Sequence, residues 1–212
     1  LSAALGAAGY APSGSVVGLV TDRFERQNGR YTLTSEAIPE RRLAWLLPGL
    51  TLTSEGEYAG DRLVPNHFRQ TRTGSPDKTT EAQFDWSAAT LTHRYKGKSE
   101  GLALPAGTQD SLSQIYLFAI TEQLPATFDL PVTNGRKLIN YRYERLPAAP
   151  VETPLGTYPA VEYRRIAEPG ENAISVWIAP DLHHLPLRIR VQEAAGIFEK
   201  LLAQVSLPNK QK

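Results

Sequence analysis

The residues best equipped for chemistry in this chain are few and scattered. Asp181, His183 and His184 stand together in Ala179-Pro180-Asp181-Leu182-His183-His184-Leu185-Pro186. A metal ion would take Asp181 with one or both histidines, but adjacent side chains of an extended segment diverge and rarely ligate one ion together. The plainer reading is a tight turn with the histidines at its surface. His67 and His93 stand alone on strand patterns, with no His-x-x-x-His or His-Glu-x-x-His spacing, so neither a metal site nor a cofactor is expected. Glu55 and Glu57, at i and i+2 in Ser54-Glu55-Gly56-Glu57, share one face of a strand. Such a pair suits acid–base work and equally suits a solvated outer face. Gln109 and Asp110 open the most helix-like segment, where an acid caps more often than it catalyses. Gly97-Lys98-Ser99 looks like the end of a phosphate-binding loop but lacks the preceding glycine at the required spacing. No catalytic residue is assigned.

Aromatic residues form the other candidate set. Tyr31, Phe68, Phe84, Trp86, Tyr141, Tyr143, Tyr163 and Trp177 all lie on strand patterns. If the sheet curls, some of them line its concave side, either as packing under a helix or as the wall of an apolar pocket. Trp86, Tyr141, Tyr143 and Trp177, with Tyr116 from the helix, are the candidate ligand contacts. Trp177 alternates with Ile174, Val176 and Ile178 and so faces away from them, where an exposed aromatic implies contact with something else.

The elements that position these residues are mostly strands. Val16 to Arg26 is followed by Asn28-Gly29, a strong two-residue hairpin signal, and then by Arg30 to Ile38. Leu50 to Ala59, Arg62 to Arg72, Thr79 to Trp86 and Leu91 to Tyr95 continue the meander. Leu138 to Leu146, Tyr158 to Ile166, Ala173 to Ala179, Leu185 to Glu193 and Ile197 to Ser206 resume it, the last two joined across Ala194-Ala195-Gly196. Thr153-Pro154-Leu155-Gly156 breaks regular pairing and reads as a corner or hairpin connection. Thr32-Leu33-Thr34-Ser35-Glu36 recurs as Thr51-Leu52-Thr53-Ser54-Glu55, which reads as two neighbouring strands with the same pleat. Between the two runs of strands, Leu112, Ile115, Tyr116, Ala119 and Ile120 fall on one helical face. This predicts one principal helix over about Thr108 to Gln123, with Thr108 as its N-cap.

Composition bounds the class. The chain has 212 residues, a formal net charge of +1 and 41% hydrophobic residues, so no basic excess points to nucleic acid. No cysteine is present, which removes disulfides and thiolate chemistry. Methionine is absent too, including at position 1, and a removed export leader is the expectation. No apolar run is long enough for a membrane-spanning helix. The expected organisation is a flexible segment over 1–14, a single β-rich domain over 15–207 and a disordered tail over 208–212. The expected fold is mainly β, an antiparallel open barrel or half-barrel with that one helix packed on its concave side or mouth.

Several motifs, taken in order, resemble a known family. Leu52-Thr53-Ser54-Glu55-Gly56 with Leu63-x-Pro65, Phe84-Asp85-Trp86, and Gln109-Asp110-Ser111-Leu112-Ser113 followed by Tyr116 and Ala119 are similar to the hallmarks of domain-of-unknown-function family 3108. Thr153-Pro154-Leu155-Gly156 and Val176-Trp177-Ile178-Ala179-Pro180-Asp181 with Leu185-Pro186-Leu187-Arg188-Ile189 extend the likeness, which runs from about Ser15 to about Leu207. The resemblance implies an exported bacterial protein of the periplasm or envelope, with a β-spiral shape like that of periplasmic lipoprotein carriers. It carries over no catalytic residue. It implies a fold-fixing role for Ser54, Glu55, Gly56, Gln109, Asp110, Ser113, Pro154, Gly156 and Asp181.

The expectation is therefore a non-enzymatic envelope protein that binds a lipid, lipoprotein or other apolar ligand in its curved sheet, or an envelope protein partner. One alternative is a hydrolase of envelope glycan or peptide using Asp110, Glu55 or Asp181. Another is a scaffold that pairs with a partner through an exposed strand edge. The state of the concave side separates them: an open apolar groove favours the carrier, convergent polar groups the enzyme, a filled interior the scaffold.

Overall fold

A computed structural model describes residues 2–10, 16–121, 124–193 and 196–206. Strands dominate: β1 (Ser2–Tyr10), β2 (Val16–Gln27), β3 (Arg30–Pro39), β4 (Leu50–Ala59), β5 (Arg62–Arg72), β6 (Thr80–Asp85), β7 (Thr90–Tyr95), β8 (Lys98–Ala103) and β9 (Gln109–Asp110) precede the helix α1 (Ser113–Ile120). After it come β10 (Thr127–Thr133), β11 (Leu138–Thr153), β12 (Gly156–Ile166), β13 (Ala173–Ala179), β14 (Leu185–Glu193) and β15 (Gly196–Ser206).

All belong to one sheet, in the order β8-β7-β6-β5-β4-β3-β2-β1-β15-β14-β13-β12-β11-β10-β9. It is two antiparallel meanders joined where β1 pairs with β15. The chain passes from one edge of this sheet, β8, to the other, β9, through residues 104–108 alone. So short a connection spans at most about 20 Å, so the edges lie close and the sheet must curl into an open barrel. No ladder joins the edges among the described residues: β9 pairs in parallel with Val132 and Thr133 of β10, and β8 pairs with β7.

The structure departs from the sequence expectations in its first strand and at the start of its helix. Residues 2–10, expected within a flexible segment, form β1, paired on both sides. Its alanines and glycines give no periodic signal, yet Leu5 and Ala7 are buried, and from Ala4 onward the strand pairs with both β2 and β15. The helix is also shorter than Thr108 to Gln123. Thr108 donates its hydroxyl to the Pro105 carbonyl (2.7 Å) and caps nothing. Gln109 and Asp110 are extended, and α1 starts only at Ser113. The expected end at Gln123, the Ala194-Ala195 turn and the tail over 208–212 lie outside the described residues.

The apolar stripe is correspondingly broader than one face. Tyr116 packs in a cluster with Phe68, Leu33 and Leu187, while Phe118 packs in another with Tyr143, Tyr163 and Val176. A helix buried on more than one side belongs inside the protein, not on its surface. The helix thus fills the concave side between two halves of the core, stacking Phe118 on Tyr163 at 4.8 Å and meeting Tyr143 edge-on at 5.0 Å.

Candidate functional site: a buried polar seam

Where β9 and β10 come back against β4, β5 and β7, side chains do what a ladder would do elsewhere. Asp110 is completely buried. Its Oδ1 accepts the backbone N–H groups of Leu112 (2.9 Å) and Ser113 (2.8 Å), and its own N–H donates to Ser113 Oγ (2.9 Å). This reciprocal clasp satisfies donors that a helix start leaves orphaned. The other oxygen, Oδ2, accepts the hydroxyl of Ser54 on β4 at 2.5 Å. With its hydrogen so committed, Ser54 Oγ accepts from Tyr31 on β3 (2.9 Å). Burial pushes the Asp110 carboxyl up to about 6, against the pull of its donors. Burial, then the charge of Asp110, pushes the Tyr31 hydroxyl well above its ordinary range.

A second buried carboxylate lies on the same side of the sheet. Asp22 on β2 accepts Ser35 Oγ (2.7 Å) at Oδ1, and Tyr116 (2.7 Å) and Lys200 at Oδ2. It ties β2 and β3 to the helix and to β15. The repeated Thr-Leu-Thr-Ser-Glu thus has a structural meaning: β3 and β4 are neighbours, and the serine of each copy donates to a buried aspartate. Asp22 carried a signal in the sequence, an acid on the same strand phase as Val20 and Phe24.

The seam continues to either side. Gln109 Nε2 donates to the Leu63 carbonyl on β5 (2.9 Å). His93 Nε2 lies 2.7 Å from Thr133 Oγ1, linking β7 to β10, and burial holds the His93 imidazole below its usual range. Tyr143 donates to Gln114 Oε1 (2.8 Å), fixing the helix to β11. Gly56 sits opposite Pro65 at a bulge, where a Cβ would stand 2.1 Å from the Val64 carbonyl oxygen. Trp86 donates to the carbonyl of that Pro65 (2.7 Å) and stacks on Phe84.

The remaining candidates do not converge. Glu55 and Glu57 point to solvent, and Asp181, His183 and His184 occupy the β13–β14 turn, with both histidines in the left-handed region. No group of three His, Asp or Glu able to hold a metal occurs among the described residues. Thr153 and Gly156 close a two-residue hairpin around Pro154 and Leu155. Tyr141 is half-buried beneath the Arg165 guanidinium (3.9 Å), and Trp177 beneath that of Arg188 (4.9 Å). Gly97-Lys98-Ser99-Glu100-Gly101 also has the glycine–serine–glycine spacing of a nucleophile elbow, and Ser75-Pro76-Asp77-Lys78 that of a serine–lysine pair. The first is the exposed β7–β8 hairpin, not a strand-to-helix turn, and the second a surface 3₁₀ turn. The Ser54–Asp110 pair has the composition of a nucleophile and an acid, but it is sealed from solvent and its hydroxyl is occupied on both sides.

The model of the family described as protein of unknown function DUF3108 matches residues 10–202. The chain belongs to that family. No curated protein matches the DUF3108 chain. Among solved structures, a beta-barrel-like protein of domain of unknown function DUF1849 from Brucella abortus superposes with a TM-score of 0.66 at 10% identity, covering 99% of both chains. The shared fold is thus an open, barrel-like sheet. A candidate lipoprotein from Parabacteroides distasonis gives a TM-score of 0.39 at 8% identity, covering 97% of this chain and 95% of that one. A candidate exported protein from Bacteroides fragilis gives 0.35 at 10%, with the same coverage.

Proposed function

We propose that this DUF3108 protein is a non-catalytic scaffold of the bacterial envelope that acts through its outer surface. The observation that carries the reading is the filled concave side. Tyr116 and Tyr143, placed to contact a ligand in an open groove, are buried with their hydroxyls bonded to Asp22 and Gln114. An apolar ligand would have to displace α1 and break the seam with it. Envelope residence rests on the family resemblance. Catalysis is disfavoured because Asp110 is wholly buried and committed to Ser54 and the helix start, and the exposed acids, Glu55 and Asp181, lie on separate elements, β4 and the β13–β14 turn.

Strand addition is a second mode of the same scaffold. β8 is an edge, exposed along nearly its whole length and paired on one side. Lys98 and Glu100 guard it against indiscriminate pairing, leaving it to a strand of complementary charge.

The test is native mass spectrometry of the full chain after incubation with a fatty acid and a phospholipid, with hydrogen exchange of α1 measured in parallel. The scaffold reading expects no stoichiometric adduct and unchanged exchange in α1. A one-to-one adduct that alters exchange in α1 would overturn it in favour of a carrier. Fractionation of cells expressing the full-length gene tests the envelope assignment, and recovery in the cytoplasm would refute it.

A further inference from the structure

The fold leaves a concentrated apolar surface outside, at one end of β2–β4. Trp45 is 83% exposed and Leu46 60%, side by side in the connection from β3 to β4. Leu19 (65%) and Ile38 (59%) stand directly opposite one another on β2 and β3 at the same end. The connection is well held. Glu40 N–H donates to the Val17 carbonyl (2.8 Å), and the N–H groups of Leu46 and Leu47 converge on the Leu43 carbonyl (2.9 and 2.8 Å). Leu43 and Leu47 turn partly inward, and a groove of about 260 Å³ lined by Ile38, Ala44, Leu47 and Pro48 separates the connection from the sheet. Trp45 and Leu46 are therefore presented outward by an ordered turn.

We infer that this tip is a docking surface for an anionic lipid bilayer. Three observations select that occupant. The tip protrudes, with its two largest apolar side chains outermost; a bilayer accepts such a wedge without a matching pocket. The outermost residue is a tryptophan, whose amphipathic ring favours the membrane–water interface. The flanking charge is basic: Arg41 and Arg42 lie in the same turn, Arg72 pairs with Leu50 at the same strand end, and Lys78 lies in the next turn. Arg42 and Glu40 pair at 2.5 Å and cancel, so Arg41, Arg72 and Lys78 stand against Glu36 and Asp77, an excess of one positive charge. One wedge with a few arginines gives weak, reversible adhesion. The inference rests on this exposed turn alone and stands whether or not the interior is filled.

The experiment mixes the full chain with vesicles of phosphatidylcholine alone or with one quarter phosphatidylglycerol, and reads flotation and tryptophan emission at low and physiological salt. Co-flotation with the anionic vesicles and a blue-shifted emission are expected. The Trp45→Ser, Leu46→Ser double variant should bind more than about tenfold more weakly, because each large apolar side chain contributes substantially when buried. It should keep its urea midpoint, since both residues are exposed. Arg41→Gln and Arg72→Gln should each weaken binding by about fivefold. Absence of binding to anionic vesicles at low salt overturns the inference, as does a double variant that binds like the parent. So does a concentration-dependent self-association abolished by the double variant without vesicle binding, which would assign the tip to a second copy of the chain.

Discussion

Ser54→Ala is the perturbation that most directly interrogates the seam. In the parent, Ser54 Oγ gives its hydrogen to Asp110 and accepts one from Tyr31, and all three side chains are buried. Alanine removes both bonds and opens no route for water. At pH 8 Asp110 is ionised, since its carboxyl titrates at about 6. A hydrogen bond to a buried charge is worth roughly 1.5–3 kcal/mol, and the Tyr31 hydroxyl, left with Ser113 alone, adds at most about 3 kcal/mol. The total loss at pH 8 is thus about 1.5–6 kcal/mol. At pH 5 Asp110 is protonated in the folded state, so the lost bond is an ordinary one of about 0.5–1.5 kcal/mol. The penalty should therefore shrink by about 1–1.5 kcal/mol between pH 8 and pH 5. That difference corresponds to raising the Asp110 carboxyl by about one further pH unit. Urea unfolding followed by tryptophan emission at the two pH values measures it. Adding Tyr31→Phe removes that hydroxyl and its contact with Ser113, so the double variant should lie within about 1 kcal/mol of Ser54→Ala alone. Equal penalties at pH 5 and pH 8, or a larger one at pH 5, would show that Asp110 is not the charged partner of Ser54 and would refute the account of the seam.

Asp110 should also shape the pH profile of the parent. Its carboxyl is raised in the fold from 3.8 to about 6, so the folded state binds the proton more tightly, and the resulting stability is full below pH 4 and lost as pH rises through 6. The size is about 3 kcal/mol, and Asp110→Asn should flatten this part of a urea-midpoint profile. Tyr116→Phe removes one donor from Asp22 while Ser35 and Lys200 remain; a loss of about 1.5–3 kcal/mol is expected in the same assay, and a change below about 0.5 kcal/mol would contradict it. Gly56→Ala must displace the Val64 carbonyl and the Pro65 backbone, whereas Gly101→Ala meets nothing within 4 Å. The first should yield insoluble or strongly destabilised protein and the second should be near neutral, as judged by soluble yield and thermal midpoint. Phe118→Ala should cost about 3–5 kcal/mol and open an apolar void, detectable as xenon or benzene binding absent from the parent.

Much of the fold was legible because antiparallel strands write their alternation into the chain. β4, β5, β13 and β14 begin and end where the period-two pattern does. β8 was not legible, since Lys98-Ser99-Glu100-Gly101 has no buried face to write. β10 was hidden by Pro131, which its nearly uncovered outer edge tolerates because that side needs few ladder donors. β1 was hidden by its small residues. The helix boundary failed for a different reason. Helical periodicity cannot distinguish a residue inside a helix from one that clasps its first N–H groups from an extended segment, and Asp110 does the latter. Of the candidate site, Gln109, Asp110, Ser113 and Ser54 could be singled out, but their meeting across β4 and β9 depends on the curl of the whole sheet. That curl follows from an edge-to-edge connection only five residues long, which is invisible until the order of the strands is known.

The distribution of buried polar groups then makes physical sense. Apolar contacts between α1 and the sheet are non-directional and would hold the helix in several neighbouring positions with little difference in energy. An open barrel lacks the closing ladder that would otherwise select one. Hydrogen bonds fall off steeply with distance and angle, and a buried carboxylate with too few donors is heavily penalised. Asp22 and Asp110, each recruiting a serine from the repeated strand motif, and a tyrosine either directly or through that serine, convert a sliding contact into a single register. Asp22 reads the helix position through Tyr116, and Asp110 reads the edge position through Ser54. Loosening either should therefore free both ends of α1 together, so that in hydrogen exchange Tyr116→Phe raises opening rates at β9 as well as at the helix.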